Sequence, residues 1–550
     1  MVTMPMAGKL PVFQRSVSEL TIDHAALFWS GVALEVHRRD FTFHDAEGDD
    51  EAGTPMDRQT LDPERGGPTQ TSRAFAMTHL AMYDAWLGSS ASSLRDRPYL
   101  SQVKAHPDLR KLSDGAAASA IAAAASNVLM SLFGRQHDFV NAQRHRWLEI
   151  MRDKVVSRDD IERGRRFGEA VADAMISFRQ DDPEEVSLGH PHYYVPKLMP
   201  GHHREDPYNP KQGFLGSTWG TVPLFGPAGR YKDNFVKPFG QSRPEDIVTH
   251  ADWAAQVVEV RKKGAAPGTP GLTRTDEETV IGTFWGYDGA RNIGTPPRLY
   301  NQCVHTIIEN PVLSLSLGES VKLLALCNMA MADSGILAWN EKYHFALYRP
   351  VIGAREYNKG YGPDNGASLP TFDPALAPLS AGADYAAVAT WLKQTPSRPS
   401  LPATTDQEAN WKPLGAPQTN AKETSLTPNF PAYPSGHATF GTSCFQTVRH
   451  FLGTTADGLT FDFVSDELSG VVVSTVDGKP VPSGMRDSDG SYRPLHTRQL
   501  TLEQAIHENA VSRIYLGVHW RIDAEEGVRL GNEIATTIRD ILTDPTVPTA

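Results

Sequence analysis

The strongest constraint on the fold of this chain is the return of apolar residues at helical spacing along most of its length. Strand-type alternation never persists. Asp23 to Arg38 and Ser72 to Trp86 both carry this period. Ser113 and Asp114 are placed to cap the Ala-rich run Ala116 to Phe133, whose small side chains suit close helix contacts. Arg144 to Arg179 is amphipathic, and its Arg163, Arg165 and Arg166 read as a solvated face. Helices are expected to resume at Pro244, a residue suited to a first turn, and again near Asp276. Further runs span Glu319 to Tyr348, His437 to Leu452, Leu502 to Tyr515 and Asp523 to Leu542. Gly470 to Val481 suggests a strand pair turning at Asp477-Gly478. Roughly 181–246 and 351–434 are irregular excursions, the second with a short helical pattern at Asp384 to Leu392. The predicted class is mainly α with long irregular loops.

At 550 residues, two domains or one duplicated architecture are expected. A net charge of -12 argues against a general nucleic-acid binder, while leaving room for a small anion site set by local charge. Cys303, Cys327 and Cys444 are scattered without CxxC spacing, which excludes a disulfide-dense scaffold or a cysteine-rich zinc module. Buried free thiols are the expectation, with one disulfide left open. The first residues, MVTMPMAGKLPVFQRS, lack an apolar core of signal-peptide length, and no uninterrupted apolar stretch reaches membrane-span length. No membrane partner is therefore expected. Compartment and oligomeric state are not fixed, and a homo-oligomer is compatible with the sequence.

Several motif fragments carry little chemistry. His190, His192, His202 and His203 share a Pro-rich loop without a rigid element to fix ligand geometry. His507-Glu508 lacks the second histidine of a zinc helix, and Asp487 to Gly490 reads as a turn rather than a calcium loop. Three segments stand apart. Lys342 and Arg349 are seven residues apart, on nearly one helix face, with Pro350 placing the guanidinium at a helix end. Pro434-Ser435-Gly436-His437 opens a helical run, joining an N-cap, free N–H groups and a histidine for proton transfer. Ser512-Arg513 precedes Gly517, His519 and Asp523, where the carboxylate can hold one ring nitrogen and expose the other. Each alone has a plain structural reading: solvated charges, a capped helix, a buried His–Asp bond. Together they make a plausible site for a tetrahedral oxyanion, with cations and N–H groups on its oxygens.

The order K-x6-RP, PSGH, SR-x3-G-x-H-x3-D, from Lys342 to Asp523, resembles the superfamily of vanadium haloperoxidases and type 2 phosphatidic-acid/acid phosphatases. Trp285-Gly-Tyr-Asp288-Gly, the segment IGTPPRLYN (293–301) and Phe430-Pro-Ala-Tyr-Pro-Ser-Gly-His look like vanadium chloroperoxidases, and the chain length also favours that branch. The resemblance implies two four-helix bundles, taken as an N-terminal half over 1–270 and a site-bearing half over 271–550. It implies vanadate (V5+) bonded by His519, with Lys342, Arg349, Ser435, Gly436 and Arg513 as donors to its oxygens. His437 would be the acid–base residue, Asp288 the partner of Arg513, and Asp523 the terminal aspartate. Trp339 and Phe430 would line the halide side. Algal bromoperoxidases typically carry His at the Phe430 position, so Phe430 leans towards chloride. The implied partners are hydrogen peroxide, a halide and a small organic acceptor. His437 would take a proton from peroxide, Lys342 would polarise the activated oxygen, and hypohalous acid or an equivalent would result. Two other readings fit the same residues. One is a phosphatase with His519 as nucleophile and His437 as leaving-group acid; the other is a non-catalytic oxyanion-binding protein.

Overall fold

The structure is a computed structural model and describes residues 11–41, 44–45, 59–60, 63–90, 96–103, 113–183, 190, 192–197, 199–208, 212–227, 235–290, 293–356, 411–417, 427–468, 473–476, 479–482 and 497–544. The helical patterning becomes α1 (Ala25–Asp40), α2 (Gly67–Ser89), α3 (Asp114–Leu132), α4 (His137–Asp153) and α5 (Arg158–Arg179) in the first part. There follow α6 (Pro244–Val248), α7 (Trp253–Lys263), α8 (Asp276–Phe284), α9 (Pro296–Ile308), α10 (Leu317–Phe345) and α11 (Pro350–Glu356). The chain ends with α12 (Gly436–Leu452), α13 (Leu502–Tyr515) and α14 (Arg521–Ile538). The class is mainly α.

The helices pack in a continuous series: α5 on α3, α3 on α2, α2 on α10, α10 on α12, and α12 on α14. The two outer seams use the same device. Gly164 and Gly168 of α5 lie directly on the Ala116 and Ala120 carbonyls, so that no Cβ could be accommodated. Gly527 and Gly531 of α14 do the same against Ser435, Ala438, Thr439 and Thr442 of α12. Small residues four apart share a helix face, and here they bring backbones into contact. One large apolar cluster runs from Val12 to Leu542, and a smaller one gathers Trp253, Tyr348, Tyr433 and Trp520.

Strands are short. The expected strand pair forms as β4 (Val473–Val476) and β5 (Lys479–Pro482), with Val476 opposite Lys479, while the turn expected at Asp477-Gly478 lies outside the described residues. A second antiparallel pair, β3 (Thr460–Val464) with β6 (Thr497–Thr501), is not signalled by the sequence pattern. Its partners lie far apart in sequence, where a five-residue alternation is easily missed. Two residues, His44–Asp45 (β1), pair with Gln59–Thr60 (β2).

The amphipathic region from Arg144 to Arg179 forms α4 and α5, which part where Val155 takes a left-handed φ of 57°. Two local expectations are corrected. Ser113 occupies the N-cap position, but its hydroxyl donates to Asp160 Oδ2 (2.7 Å) instead of capping α3. Helix α10 stops at Phe345 because Ala346 is left-handed (φ 49°), so Lys342 and Arg349 do not share a helix face. The patterns at Asp384 to Leu392 and Asp487 to Gly490 lie outside the described residues.

The three cysteines are free and buried. Helices α3 and α10 are long and apolar enough on average to cross a membrane, although polar residues interrupt both. However, 83% and 89% of their most apolar windows are buried inside the protein. They are core helices here.

Candidate active site

The site assembles where α10 ends and α12, α13 and α14 begin or end. Lys342 occupies the last turn of α10, fully buried, and its Nζ donates to the carbonyls of Pro431 and Ala432 (both 3.0 Å) and of Pro434. The turn at Ala346 sends the chain back, with Tyr348 N donating to Gly201 O and Ala432 N to Leu347 O. This reversal brings Arg349 back near Lys342, where both side chains donate to carbonyls of the segment 430–434. Arg349 Nε donates to Phe430 O (2.8 Å), and one terminal nitrogen donates to Val518 O and contacts His519 Nε2 (both 2.8 Å).

His519 lies in the link between α13 and α14, after Gly517 takes φ 69°. Its pairing with Asp523 therefore does not need a continuous helix. Asp523 sits in the first turn of α14, where Oδ2 accepts from Trp520 N and from His519 Nδ1, each at 2.9 Å. Arginine has no acceptor, so the His519 Nε2 facing it must carry the lone pair and Nδ1 the proton. That tautomer leaves Nε2 able to bond a metal, with Asp523 orienting the ring.

Helix α12 starts at this point with Ser435 as N-cap, its Oγ accepting from Ala438 N (3.4 Å) and its N–H donating to Asp523 O (2.8 Å). His437 follows in the first turn. Its Nε2 contacts Gly286 O at 2.6 Å; a carbonyl only accepts, so Nε2 carries the proton and Nδ1 is the free base. Burial, then the nearby Arg513 charge, pushes the His437 pKa down to about 3. Arg513, in the last turn of α13, forms a two-pronged pair with Asp288 at 2.5 and 3.1 Å. On the apolar side, the Trp339 and Phe430 rings pack with centroids 4.6 Å apart. Lys342 Nζ lies 5.5 and 5.3 Å from those two ring centres.

All the residues singled out from the sequence for this site thus converge. The histidine loop does not form a comparable cluster: His190 and His192 pack on each other at 5.4 Å, while His202 pairs with Glu245 at 3.1 Å. Sequence reasoning missed the carbonyls of Gly286, Phe430, Pro431, Ala432, Pro434 and Val518, which hold Lys342, Arg349 and His437 in place. It also missed Tyr300 and Asn509, whose side chains meet the His437 carbonyl. Asn509 precedes Arg513 by four residues, a helical spacing that could have marked it.

The charge balance identifies what the cradle can hold. Burial, and then repulsion by Arg349, drives the Lys342 pKa well down; burial and Arg513 lower that of Arg349 to about 9. Asp523, the nearest counter-charge, is itself pushed up to about 7 by burial. Among the described residues, Arg349 Nη2 and Arg513 Nε are buried without a hydrogen-bond partner. Buried cationic donors without a partner are costly. An oxyanion carrying several acceptor oxygens would satisfy them, so the residues fit vanadate.

Comparison with known proteins bears on the family and the fold. Residues 55–212 match the family model "Vanadium chloroperoxidase N-terminal domain", and residues 322–546 match "VCPO second helical-bundle domain". The vanadium chloroperoxidase of Curvularia inaequalis is 29% identical over 559 residues, spanning 94% of this chain and 81% of that protein. A bacterial vanadium-dependent iodoperoxidase shares the fold with a TM-score of 0.57 at 18% identity, covering 96% of this chain and 99% of that one. The holo form of a bacterial vanadium-dependent chloroperoxidase has a TM-score of 0.52 at 13% identity, covering 87% and 93%. With both family models matched in chain order and the fold shared, this chain belongs to the vanadium-dependent haloperoxidases, a family of peroxidase-type enzymes.

Proposed function

We propose that the chain binds vanadate at His519 and uses hydrogen peroxide to oxidise bromide and chloride. The product would be hypohalous acid or an equivalent electrophile, which halogenates small organic acceptors. The observation that carries this reading is the buried excess of cationic donors, with Arg349 Nη2 and Arg513 Nε unpartnered among the described residues, beside a histidine whose Nε2 carries the lone pair. Lys342, Arg349, Arg513, Ser435 and the backbone N–H of Gly436 would hold the oxyanion. Bound vanadate supplies a Lewis-acid centre that activates peroxide without changing its oxidation state.

The remaining chemistry falls to the chain. His437 stays neutral at ordinary pH, so its Nδ1 can take the proton that peroxide loses on binding. Gly286 O and the Asp288 carboxylate, 3.8 Å from Nε2, keep that ring oriented. Lys342, beside the Trp339 and Phe430 rings, would donate to and polarise an oxygen of the bound oxyanion. The packed Trp339–Phe430 pair offers an apolar wall on one side, against which a chloride would be less solvated and so more nucleophilic. The site residues all lie between 288 and 523, consistent with a site-bearing half over 271–550 and a supporting half over 1–270.

The test is bromination of a dione reporter by vanadate-loaded protein with hydrogen peroxide, repeated with chloride. Activity is expected with both halides and is expected to vanish in His519→Ala. Strong phosphomonoester hydrolysis without bromination would assign the chain to phosphatase chemistry with His519 as nucleophile. Vanadate binding with neither activity would leave an oxyanion-binding protein.

A further inference from the structure

The His437 backbone carbonyl is held in an unusual way. It lies in the first turn of α12, yet two side chains from other helices converge on it. Asn509 Nδ2 of α13 donates to it at 2.7 Å, and the Tyr300 hydroxyl of α9 lies 3.0 Å away. Tyr300 also reaches Asn509 Oδ1 at 2.9 Å, closing a triangle of three polar groups. Both side chains are completely buried. Room for the triangle comes from Gly441, one turn along α12, where a Cβ would stand 3.0 Å from Tyr300 Cε1 and 3.1 Å from Asn509 Cγ. The opposite end of the same histidine is fixed through Nε2 by Gly286 O. His437 is thus gripped at main chain and side chain by three separate segments.

We infer that Tyr300 and Asn509 are positioning residues, which act as one clamp on the His437 carbonyl to hold its imidazole in line for proton transfer. This rests on the functional reading above. Neither residue is placed to touch the oxyanion. Their effect must pass through the first turn of α12, where displacement by about 1 Å can cost on the order of a hundredfold in rate. A clamp made of mutually bonded groups is also expected to fail as a unit, so its losses should not add.

The experiment compares Tyr300→Phe, Asn509→Ala and the double variant in the vanadate-loaded full chain. Turnover with bromide and peroxide, vanadate affinity by calorimetry, and amide hydrogen exchange by mass spectrometry are measured together. We expect kcat to fall about ten- to a hundredfold in the single variants, and the double variant to be no worse than the poorer single one. Vanadate affinity should stay within about threefold, and exchange should accelerate over 436–441 while peptides of α3 and α5 keep their protection. Unchanged kcat, kcat and affinity falling in parallel, losses that add in the double variant, or faster exchange throughout the chain would each overturn the clamp. Tyr300→Phe keeps the ring and removes one oxygen, so it remains informative if Asn509→Ala does not fold. If the unaltered protein binds vanadate but oxidises no halide, the functional reading fails separately. The exchange and affinity measurements then decide the clamp alone.

Discussion

Lys342, Arg349 and Arg513 are each fully buried, with Asp288 bonded to Arg513 and Asp523 bonded through Oδ2 to His519. Arg349 is the least replaceable of the three. One planar guanidinium reaches Phe430 O, Val518 O and His519 Nε2 at 2.8 Å each, and still has a terminal nitrogen to offer. A lysine retains the charge but cannot span those directions. Arg349→Lys is therefore expected to weaken vanadate binding about ten- to a hundredfold, from a loss of about 1.5–3 kcal/mol in charged hydrogen bonds. Calorimetric titration checks this, and an affinity within twofold of the unaltered protein would refute it. The chemistry of these side chains was legible in the sequence because each motif is local: PSGH carries cap, N–H groups and base within four residues. The roles of Tyr300 and Asn509 were not legible. They arise only where α9, α12 and α13 meet, and no spacing within one segment encodes that meeting.

At the level of elements, the site depends on two close approaches. The first is the seam of α14 on α12, where a Cβ at Gly527 would lie 2.7 Å from both Ala438 Cβ and Ser435 O. Gly527→Ala must push α14 away from the turn that carries Ser435 and His437. We expect it to cost about 1–3 kcal/mol of stability and to weaken vanadate binding as well. Gly164→Ala, at the equivalent seam of α5 on α3, should lower the melting temperature while leaving vanadate affinity unchanged. Equal effects of both on affinity would show that the α12 seam has no special bearing on the site. The second approach comes from the irregular stretch before α6. Leu215 O accepts from Trp339 Nε1 (3.2 Å) and from the Tyr343 hydroxyl (2.6 Å). Gly216, at φ 78°, lies flat against the same indole. A methyl group there must move Trp339 relative to Phe430, so Gly216→Ala is expected to change the bromide-to-chloride preference. Gly240→Ala is the control for backbone strain alone, with φ 75° and nothing among the described residues within 4 Å of an added Cβ. A halide ratio that moves equally in both would remove the argument. Composition marked this stretch as irregular, but aperiodic sequence carries no register from which its contact with α10 could be read. The end of α10 was hidden for a related reason: nothing in Phe345-Ala346-Leu347 announces a left-handed alanine, which the Gly201, Leu347 and Ala432 backbone contacts impose.

Across the whole molecule, segment 96–100 acts as a clasp between parts of the chain that are distant in sequence. Arg97 N donates to Leu542 O (3.0 Å), its guanidinium to Asp544 O (2.8 Å), and Lys322 of α10 to Asp96 (2.6 Å). Asp84 of α2 anchors the clasp by accepting from Tyr99 N at 2.7 Å and Leu100 N at 3.0 Å. The apolar periods that made the helices legible could not reveal this tie, because it joins polar groups more than four hundred residues apart in sequence, as Arg97 and Asp544 are. Burial pushes the Asp84 pKa up from 3.8 to about 7, with the two N–H groups opposing the rise only in part. Between about pH 4, where the unfolded chain releases this proton, and about pH 7, the folded protein keeps it. The native state then binds the extra proton, so the contribution of Asp84 to stability is complete below pH 4 and is lost as pH rises to 7. An asparagine at this position would carry no such proton but would offer a poorer partner to one N–H. Asp84→Asn should therefore be the less stable protein at pH 5 and gain on the unaltered one by up to about 1.4 kcal/mol per pH unit towards pH 7. Denaturant melts of both proteins at several pH values measure the difference directly. A stability gap that stays constant from pH 5 to pH 8 would mean that Asp84 is ionised in the folded protein throughout, and that the clasp is held by a charge instead of a retained proton.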